Sequence, residues 1–203
     1  MSFDESQKDD AAGMAPTSDA EREAWRLTNE DMEAVATERR REGYDVTTAT
    51  AVHTNPVARS HGDDDRFGLV YILPDNHADD FRAAYERADG EFPDFVAYRR
   101  EVNISSFLVT ELLDQETETA IVVAGHFDAR RVGGLAKSAI EADAMYTHAE
   151  TLDGTHLGSV RHEEYEPFLP AQEADDEEPN EVDDETDGEA DDGAADGAGD
   201  ETA

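Results

Sequence analysis

Hydrophobic residues recur with two different periods along the chain, and the change between them predicts the order of helices and strands. From Ser18 to Gly43 they recur at helical spacing, and Ser18 with Glu21 matches the reciprocal capping-box pattern. Gly43 is a favourable residue for the left-handed end of such a helix. The pattern therefore predicts a long amphipathic N-terminal helix that covers one face of a sheet.

The sequence after Gly43 carries mostly strand patterns, separated by turn residues and two shorter helical patterns. A second helix is predicted after Pro74, and a third is predicted with Asp128 as its cap. Asp153-Gly154 predicts a two-residue turn in a final hairpin. We expect an α+β fold: a mainly antiparallel twisted sheet of six or seven strands, packed by the long helix and the two shorter ones. The strand patterns before the hairpin cover residues 44–52, 67–73, 95–102, 106–113 and 119–125.

The chain also contains a weak internal sequence repeat at an offset of 51 residues. Two interpretations stay open, because a β-β-α-β duplication and a coincidence of periodic patterns would give the same match. The aligned residues are Val70, Phe81, Ala84 and Ala88 in the first copy and Ile121, Val132, Leu135 and Ala139 in the second.

Charge divides the chain into three parts. The whole sequence has 203 residues, 52 acids, 16 bases and a net charge of −36. Residues 171–203 hold 16 acids and no base, and residues 1–18 hold four acids and one lysine. The remaining 32 acids and 15 bases give residues 19–170 a net charge of −17. We therefore predict a disordered acidic head at 1–18, a single domain at 19–170 and a disordered acidic tail at 171–203.

The acidity of the domain itself favours adaptation to salt. Only Lys8 and Lys137 are lysines, so 14 of the 16 bases are arginine. Hydrated carboxylates keep a protein dissolved in concentrated salt, whereas clustered positive charge for nucleic acid is missing. The chain has no cysteine, no apolar leader and no membrane-spanning run. We expect a halophilic, cytoplasmic protein that binds neither membranes nor nucleic acid directly.

The seven histidines are the first candidates for metal binding. A two-residue turn at Asp153-Gly154 would place His148 opposite Ser159 and His156 opposite Thr151. Alternation would then put His148 on one face of the hairpin, and His156 with His162 on the other. Ligands on opposite faces cannot converge on one ion. His156 and His162 could still form a two-histidine site, but six residues along a strand separate them, so we predict no metal site.

The segment from Gly125 to Arg131 is the candidate for anion binding. A strand is predicted to end at Gly125 with a helix beginning at once, so that free amides and the helix dipole would favour an anion there. His126 could titrate, Asp128 could cap the helix, and Arg130 and Arg131 would need a negative partner. The alternative is an ordinary turn whose arginines pair with surface acids.

Recognisable catalytic and cofactor motifs are missing from the sequence. It has no GxSxG, HExxH, GxGxxG or GxxxxGK[ST] pattern, and Lys137 falls away from the apolar stripe of its helix. We expect no cofactor and lean against an enzyme. Three functions stay open: a non-catalytic binding or regulatory module with a protein partner, an anionic-metabolite sensor or small enzyme at Gly125–Arg131, and an interaction protein acting through its acidic tail.

Two stretches resemble a known family. They are VAGHFDARR, around His126, and AMYTHAETLDGTHLGSVRHEEYEPFLP, from Ala144 to Pro170. Together they resemble a family of uncharacterised haloarchaeal proteins, and the resemblance covers most of residues 19–170. The resemblance implies that the protein comes from an archaeon that grows in concentrated salt. Because such families have no established activity, no catalytic or binding residue can be carried over from it.

Overall fold

The computed structural model describes residue 16 and residues 18–60 and 66–170 of the chain. The predicted head lies outside these residues apart from Pro16 and Ser18, and the predicted tail at 171–203 lies wholly outside them. The described residues form an α+β fold with three helices and eight strands. The helices are α1 (Asp19–Glu42), α2 (Asp75–Arg87) and α3 (Gly133–Ala142). The strands are β1 (Asp45–Thr50), β2 (His53–Val57), β3 (Gly68–Leu73), β4 (Asp94–Val102), β5 (Ser105–Asp114), β6 (Thr119–Asp128), β7 (Met145–Thr151) and β8 (His156–His162).

The strands form two four-stranded mixed sheets, so the prediction of a single sheet of six or seven strands was wrong. Sheet A has the order β1-β6-β5-β4, and sheet B has the order β2-β3-β7-β8. One pair in each sheet is parallel, namely β1 with β6 and β3 with β7. These parallel pairs join strands that are far apart in sequence, which hairpin signals between neighbouring segments cannot predict.

The division into two sheets begins at the bend after β1. Ala51 and Val52 break the predicted strand 44–52, and the chain passes into sheet B as β2. The sequence predicts no strand at residues 53–57, where β2 lies. Strand β2 also contains Pro56, whose backbone nitrogen has no hydrogen to donate. The structure tolerates Pro56 because β2 is an edge strand of sheet B, where one side of the backbone has no strand partner.

The two sheets face each other across a shared core. The hydroxyl of Tyr71 on β3 lies 2.7 Å from the hydroxyl of Thr110 on β5, so a hydrogen bond joins the two sheets in the interior. Gly125 on β6 lies directly against Tyr71 and Thr54, where an added Cβ would come within 2.5 Å of both side chains. Only a glycine permits this close approach of the sheets.

Helix α1 covers the outer face of sheet A, as the apolar pattern predicted. Its capping box is present, with the Ser18 hydroxyl accepting from the Glu21 amide, and Gly43 ends it in the left-handed conformation. Met32 and Ala36 pack against a small apolar cluster of β5 and β6. Beside them, Arg39 pairs at 2.6 Å with Glu111, which is fully buried. The buried carboxylate is thus compensated by a helix residue.

Helix α2 contacts both sheets and protects an open strand edge. It packs against β1 and β6 of sheet A and against β7 and β8 of sheet B. The Tyr85 hydroxyl donates to the Ser159 carbonyl at 2.9 Å and accepts from the Ser159 amide at 3.3 Å. These bonds occupy the edge of β8, where an exposed backbone would otherwise be open to another strand.

The two copies of the weak internal repeat share only the order of a strand followed by a helix. Both aligned segments are a strand followed by a helix, β3 with α2 and β6 with α3. The two strands belong to different sheets. The duplication stays a prediction.

Candidate functional site

The predicted anion site lies along a strand instead of a strand-to-helix junction. Strand β6 does not end at Gly125 but runs through His126 and Phe127 to Asp128. A single 3-10 turn follows, and α3 begins only at Gly133. Gly125 faces sheet B, whereas the His126 ring packs beneath α1, 4.9 Å from the ring of Trp25. The two residues thus lie on opposite faces of sheet A.

The charged residues of this turn largely satisfy each other. Asp128 caps the 3-10 turn by accepting from the Arg130 amide at 2.9 Å, and it pairs with the Arg130 guanidinium at 2.6 Å. These hydrogen bonds hold the pKa of Asp128 below its ordinary value. Arg131 is exposed. The structure therefore does not gather the five predicted residues around one point, and anion binding there stays a prediction.

The β7–β8 hairpin brings together residues that strict alternation along the strands would separate. His148 lies opposite Ser159, as predicted. A β-bulge after Ala149 then shifts the register, so His156 pairs with Glu150 and not with Thr151. The loop closes with Gly154 in the left-handed conformation and the Thr151 amide donating to the Thr155 carbonyl. It is therefore one residue longer than the predicted two-residue turn.

The bulge places His156 on the same face as His148, so the predicted opposition of these two histidines was wrong. Ser159 Oγ lies 2.7 Å from His148 Nδ1 and 2.7 Å from His156 Nε2. We call His148, His156 and Ser159 the histidine–serine cluster. The apolar spacing could have signalled it, because Leu157 and Val160 are both buried yet three residues apart, which strict alternation in a strand forbids.

His148 is the buried member of the cluster. Its side chain is only 6% exposed, its ring stacks 5.7 Å from that of Tyr146, and its Nε2 has no hydrogen-bond partner in the described structure. Burial lowers the pKa of His148 to about 4, and its neighbours His156 and Arg66 lower it further. His148 is therefore a neutral imidazole at neutral pH.

His162 lies on the opposite face of the same hairpin, inside the core. Its Nε2 lies 2.9 Å from the Thr147 hydroxyl, and its ring packs against Phe95 and Phe168. Burial lowers the pKa of His162 to about 3. His162 therefore belongs to the packing of the domain and is separated from the cluster by the sheet.

A groove opens on the other side of the molecule, between α1 and the edge of sheet A. Helix α1 covers β1, β6 and β5 more fully than β4, which is one of the two edge strands of sheet A. The gap encloses about 400 Å³, and we call it the α1–β4 groove. Its lining includes Thr28, Asp31 and Val35 from α1, Tyr98 and Arg100 from β4, and Phe107 and Val109 from β5.

Polar groups stand at the rim of this groove above an apolar floor. The Arg100 guanidinium donates through Nη2 to Asp31 at 3.1 Å, while its buried Nη1 has no hydrogen-bond partner in the described structure. Burial raises the pKa of the Tyr98 hydroxyl, and the carboxylate of Glu111 adds to the increase. Tyr98 is thus an un-ionised donor beside an incompletely bonded guanidinium.

Lys137 and the residues that were considered for metal binding lie in the part of the chain that the structure describes. Lys137 is 79% exposed and 4.0 Å from Glu141, which confirms its predicted place on the solvent side of α3. Among residues 18–60 and 66–170, no group of three or more histidine, aspartate or glutamate side chains is arranged to hold a metal ion. In the same residues no helix is both long enough and apolar enough to span a membrane.

Comparison with known proteins places the chain by family. The architecture defines an α+β protein with two facing mixed sheets and a long helix on one of them. The model of a family of unknown function, DUF7529, matches residues 11–170, and the chain belongs to that family. No curated protein and no solved structure matches the sequence significantly.

Proposed function

We propose that this protein is a non-catalytic binding or regulatory module, and that its α1–β4 groove takes a small ligand with an apolar body and a carboxylate. The observation that carries the proposal is the buried Nη1 of Arg100, which lacks a hydrogen-bond partner above a floor of Phe107 and Val109. A buried donor without an acceptor is unfavourable, so an incoming carboxylate would gain by satisfying it.

The size and lining of the groove support a small ligand. Its volume of about 400 Å³ falls within the range of small-molecule sites. Phe107 and Val109 are almost fully buried in the floor, whereas Tyr98 at the rim is 45% exposed. An aromatic or aliphatic body would cover the floor, while Tyr98 and Arg100 would orient its charged end.

The groove is favoured over the Gly125–Arg131 turn for an anion because of how the arginines are already bonded. Arg130 is paired with Asp128 through its guanidinium and its backbone amide. Arg100 keeps its buried Nη1 without a hydrogen-bond partner in the described structure, although Asp31 already neutralises part of its charge. An anion in the groove must therefore gain from the apolar floor as well as from Arg100.

The proposed setting is the cytoplasm of a salt-adapted haloarchaeon. Its support is compositional: a net charge of −36 and 14 arginines against two lysines. Direct binding of nucleic acid is not part of the proposal, because residues 19–170 carry a net charge of −17 and phosphate contacts weaken in concentrated salt. Action through the acidic tail concerns residues outside the described structure.

A thermal-shift experiment on the full chain in molar KCl tests the groove. The probes are phenylacetate, indole-3-acetate and octanoate, each compared with its neutral amide. A ligand that binds only the folded state raises the unfolding midpoint, so we expect a rise with at least one carboxylate and a smaller rise with its amide. Arg100→Gln should abolish that rise.

The matched control is Arg41→Gln, which removes an exposed arginine of α1 outside the groove lining. It should leave the ligand-induced rise unchanged. The proposal fails if no carboxylate raises the unfolding midpoint. It also fails if the carboxylate raises the midpoint of Arg100→Gln as much as it raises the midpoints of Arg41→Gln and the natural sequence.

A further inference from the structure

The histidine–serine cluster lies on the β7–β8 hairpin of sheet B, whereas the α1–β4 groove is lined by α1 and two strands of sheet A. Ser159 is partly exposed and His156 is exposed, whereas His148 beneath them is buried. Both histidines direct a ring nitrogen at the same hydroxyl oxygen, each at 2.7 Å. This is the distance at which a nucleophile and its base exchange a proton.

The burial of His148 fixes where the protons lie. A neutral imidazole carries one N–H, on either Nδ1 or Nε2. A proton on Nε2 would leave a buried donor without an acceptor, because Nε2 has no hydrogen-bond partner in the described structure. This cost favours the proton on Nδ1, from which His148 can donate it to Ser159 Oγ.

The orientation of the serine follows from that assignment. Ser159 Oγ has one proton, and since it accepts from His148 it donates to Nε2 of His156. His156 thus stands as a base toward the hydroxyl, while the N–H of His148 occupies the other side of the oxygen and directs the serine proton to His156. A hydroxyl held against a base in this way is the arrangement of an activated serine.

The surroundings leave room for a reagent to approach. A groove of about 560 Å³ is lined in part by Tyr146, Ser159 and Arg161. Arg161 pairs with Glu163 at 2.7 Å and carries its positive charge on the same face of the strand as Ser159. Ser159 is partly exposed in the lining of this groove, so a small acyl donor can approach its hydroxyl from solvent.

We propose that Ser159 is an activated nucleophile that accepts an acyl group from an ester or thioester, with His156 as the base. In this step Ser159 Oγ bonds to the carbonyl carbon and its proton passes to Nε2 of His156. The bond from the carbonyl carbon to the leaving oxygen or sulfur breaks, and the leaving group takes the proton from His156. The products are acyl-Ser159 and a free alcohol or thiol, with no oxidant or reductant required.

Such an acylation would be a modification site of a regulatory module and is independent of ligand binding in the α1–β4 groove. The test treats the full chain in molar KCl with p-nitrophenyl acetate and follows release of nitrophenolate and acetylation of each peptide by mass spectrometry. We expect Ser159 to be acetylated at least about tenfold faster than any other serine, which is a modest effect for base assistance.

Variants separate an activated serine from an accessible one. Ser159→Ala should remove the fast phase, and His156→Gln, which removes the base at an exposed position, should slow acetylation at least about tenfold. His77→Gln on α2 is the matched control and should leave the rate unchanged. The proposal is overturned if Ser159 is not acetylated in the natural sequence. It is also overturned if Ser159 is acetylated as fast in His156→Gln as in the natural sequence.

The tautomer provides a second measurement that needs no substitution. Nitrogen-15 NMR of the histidine rings in the natural chain should show a protonated Nδ1 and an unprotonated Nε2 for His148. In the opposite tautomer, Nδ1 of His148 would compete with His156 for the Ser159 proton, and this result would overturn the assignment.

Discussion

Gly125 shows how one residue sets the distance between the two sheets. Sheet A and sheet B approach each other closely where β6 passes beneath Tyr71 and Thr54, and the missing side chain of Gly125 provides that space. Tyr71 cannot easily move away, because it is buried and its hydroxyl is bonded to Thr110 of the other sheet. Protein interiors transmit such a local clash to their surroundings because they are closely packed.

We therefore expect Gly125→Ala to destabilise the domain by about 2–3 kcal/mol, since the added Cβ would lie within 2.5 Å of both neighbouring side chains. Chemical unfolding at constant KCl measures the change. The control is Gly133→Ala at the start of α3, where a Cβ would meet no atom within 4 Å. It should leave stability unchanged or raise it by up to about 1 kcal/mol. Equal midpoints for the two variants would contradict this explanation of Gly125.

His162 makes the stability of the domain depend on pH. Burial lowers its pKa in the folded state to about 3, whereas an unfolded histidine titrates near 6.5. Below about pH 6.5 the unfolded chain therefore binds a proton that the folded chain does not. The contribution of His162 to stability is complete above that pH and is lost as the pH falls toward 3, by about 1.4 kcal/mol per pH unit.

The measurement is the free energy of unfolding at pH 6 and pH 5, at constant salt, for the natural chain and for His162→Leu. The natural chain should lose about 1 kcal/mol more over this interval than the variant, because the variant lacks the titrating ring. If His162→Leu does not fold, NMR titration of the His162 ring in the natural chain gives its pKa directly. A folded-state value near 6.5, or equal losses in the two chains, would contradict the prediction.

At the scale of elements, local signals predicted what depends on neighbouring residues. The capping box at Ser18, the left-handed end at Gly43 and the pairing of His148 with Ser159 are all confirmed. Each of these depends on residues close in sequence, whose geometry follows from side-chain chemistry and turn preferences. The long helix and the α+β class could therefore be predicted from the sequence alone.

Elements that depend on distant residues could not be predicted in the same way. Strand β2 contains Pro56, and only its position at the edge of sheet B makes that residue compatible with a strand. The parallel pairing of β1 with β6 joins residues more than 70 positions apart, as in Asp45 with Thr119. Division into two sheets results from such pairings, so a list of strand patterns was insufficient.

The β7–β8 hairpin shows how a single inserted residue changes a candidate site. With strict alternation, His156 would face the core side with His162, and no cluster would exist. The bulge turns His156 to the face of His148 while Leu157 enters the core. The prediction of no metal site relied on the wrong alternation, so its stated reason fails even though the described residues hold no three-ligand group.

At the scale of the whole molecule, net charge opposes folding. The sequence carries a net charge of −36, and the 19–170 region alone carries −17. Like charges are closer together in the folded domain than in the unfolded chain, so their repulsion favours unfolding when little salt is present. At 1 M salt the Debye length is only about 3 Å, and repulsion between surface carboxylates is largely screened.

We therefore predict that the domain needs salt to stay folded. Circular dichroism should show loss of structure when the full chain is diluted from molar KCl into low-salt buffer. A variant with Asp80→Asn, Glu86→Gln and Glu91→Gln removes three exposed acids on and after α2, so less screening is needed. Its structure should persist to a lower KCl concentration than that of the natural chain.

The matched control keeps the charge and changes only the side-chain length, with Asp80→Glu, Glu86→Asp and Glu91→Asp. It should unfold at the same KCl concentration as the natural chain, because repulsion depends on the number of charges and little on their exact reach. A natural chain that keeps its full structure in dilute buffer would show that the acidity is not an adaptation to salt. The excess of carboxylates would then need another cause, such as recruitment of a positively charged partner.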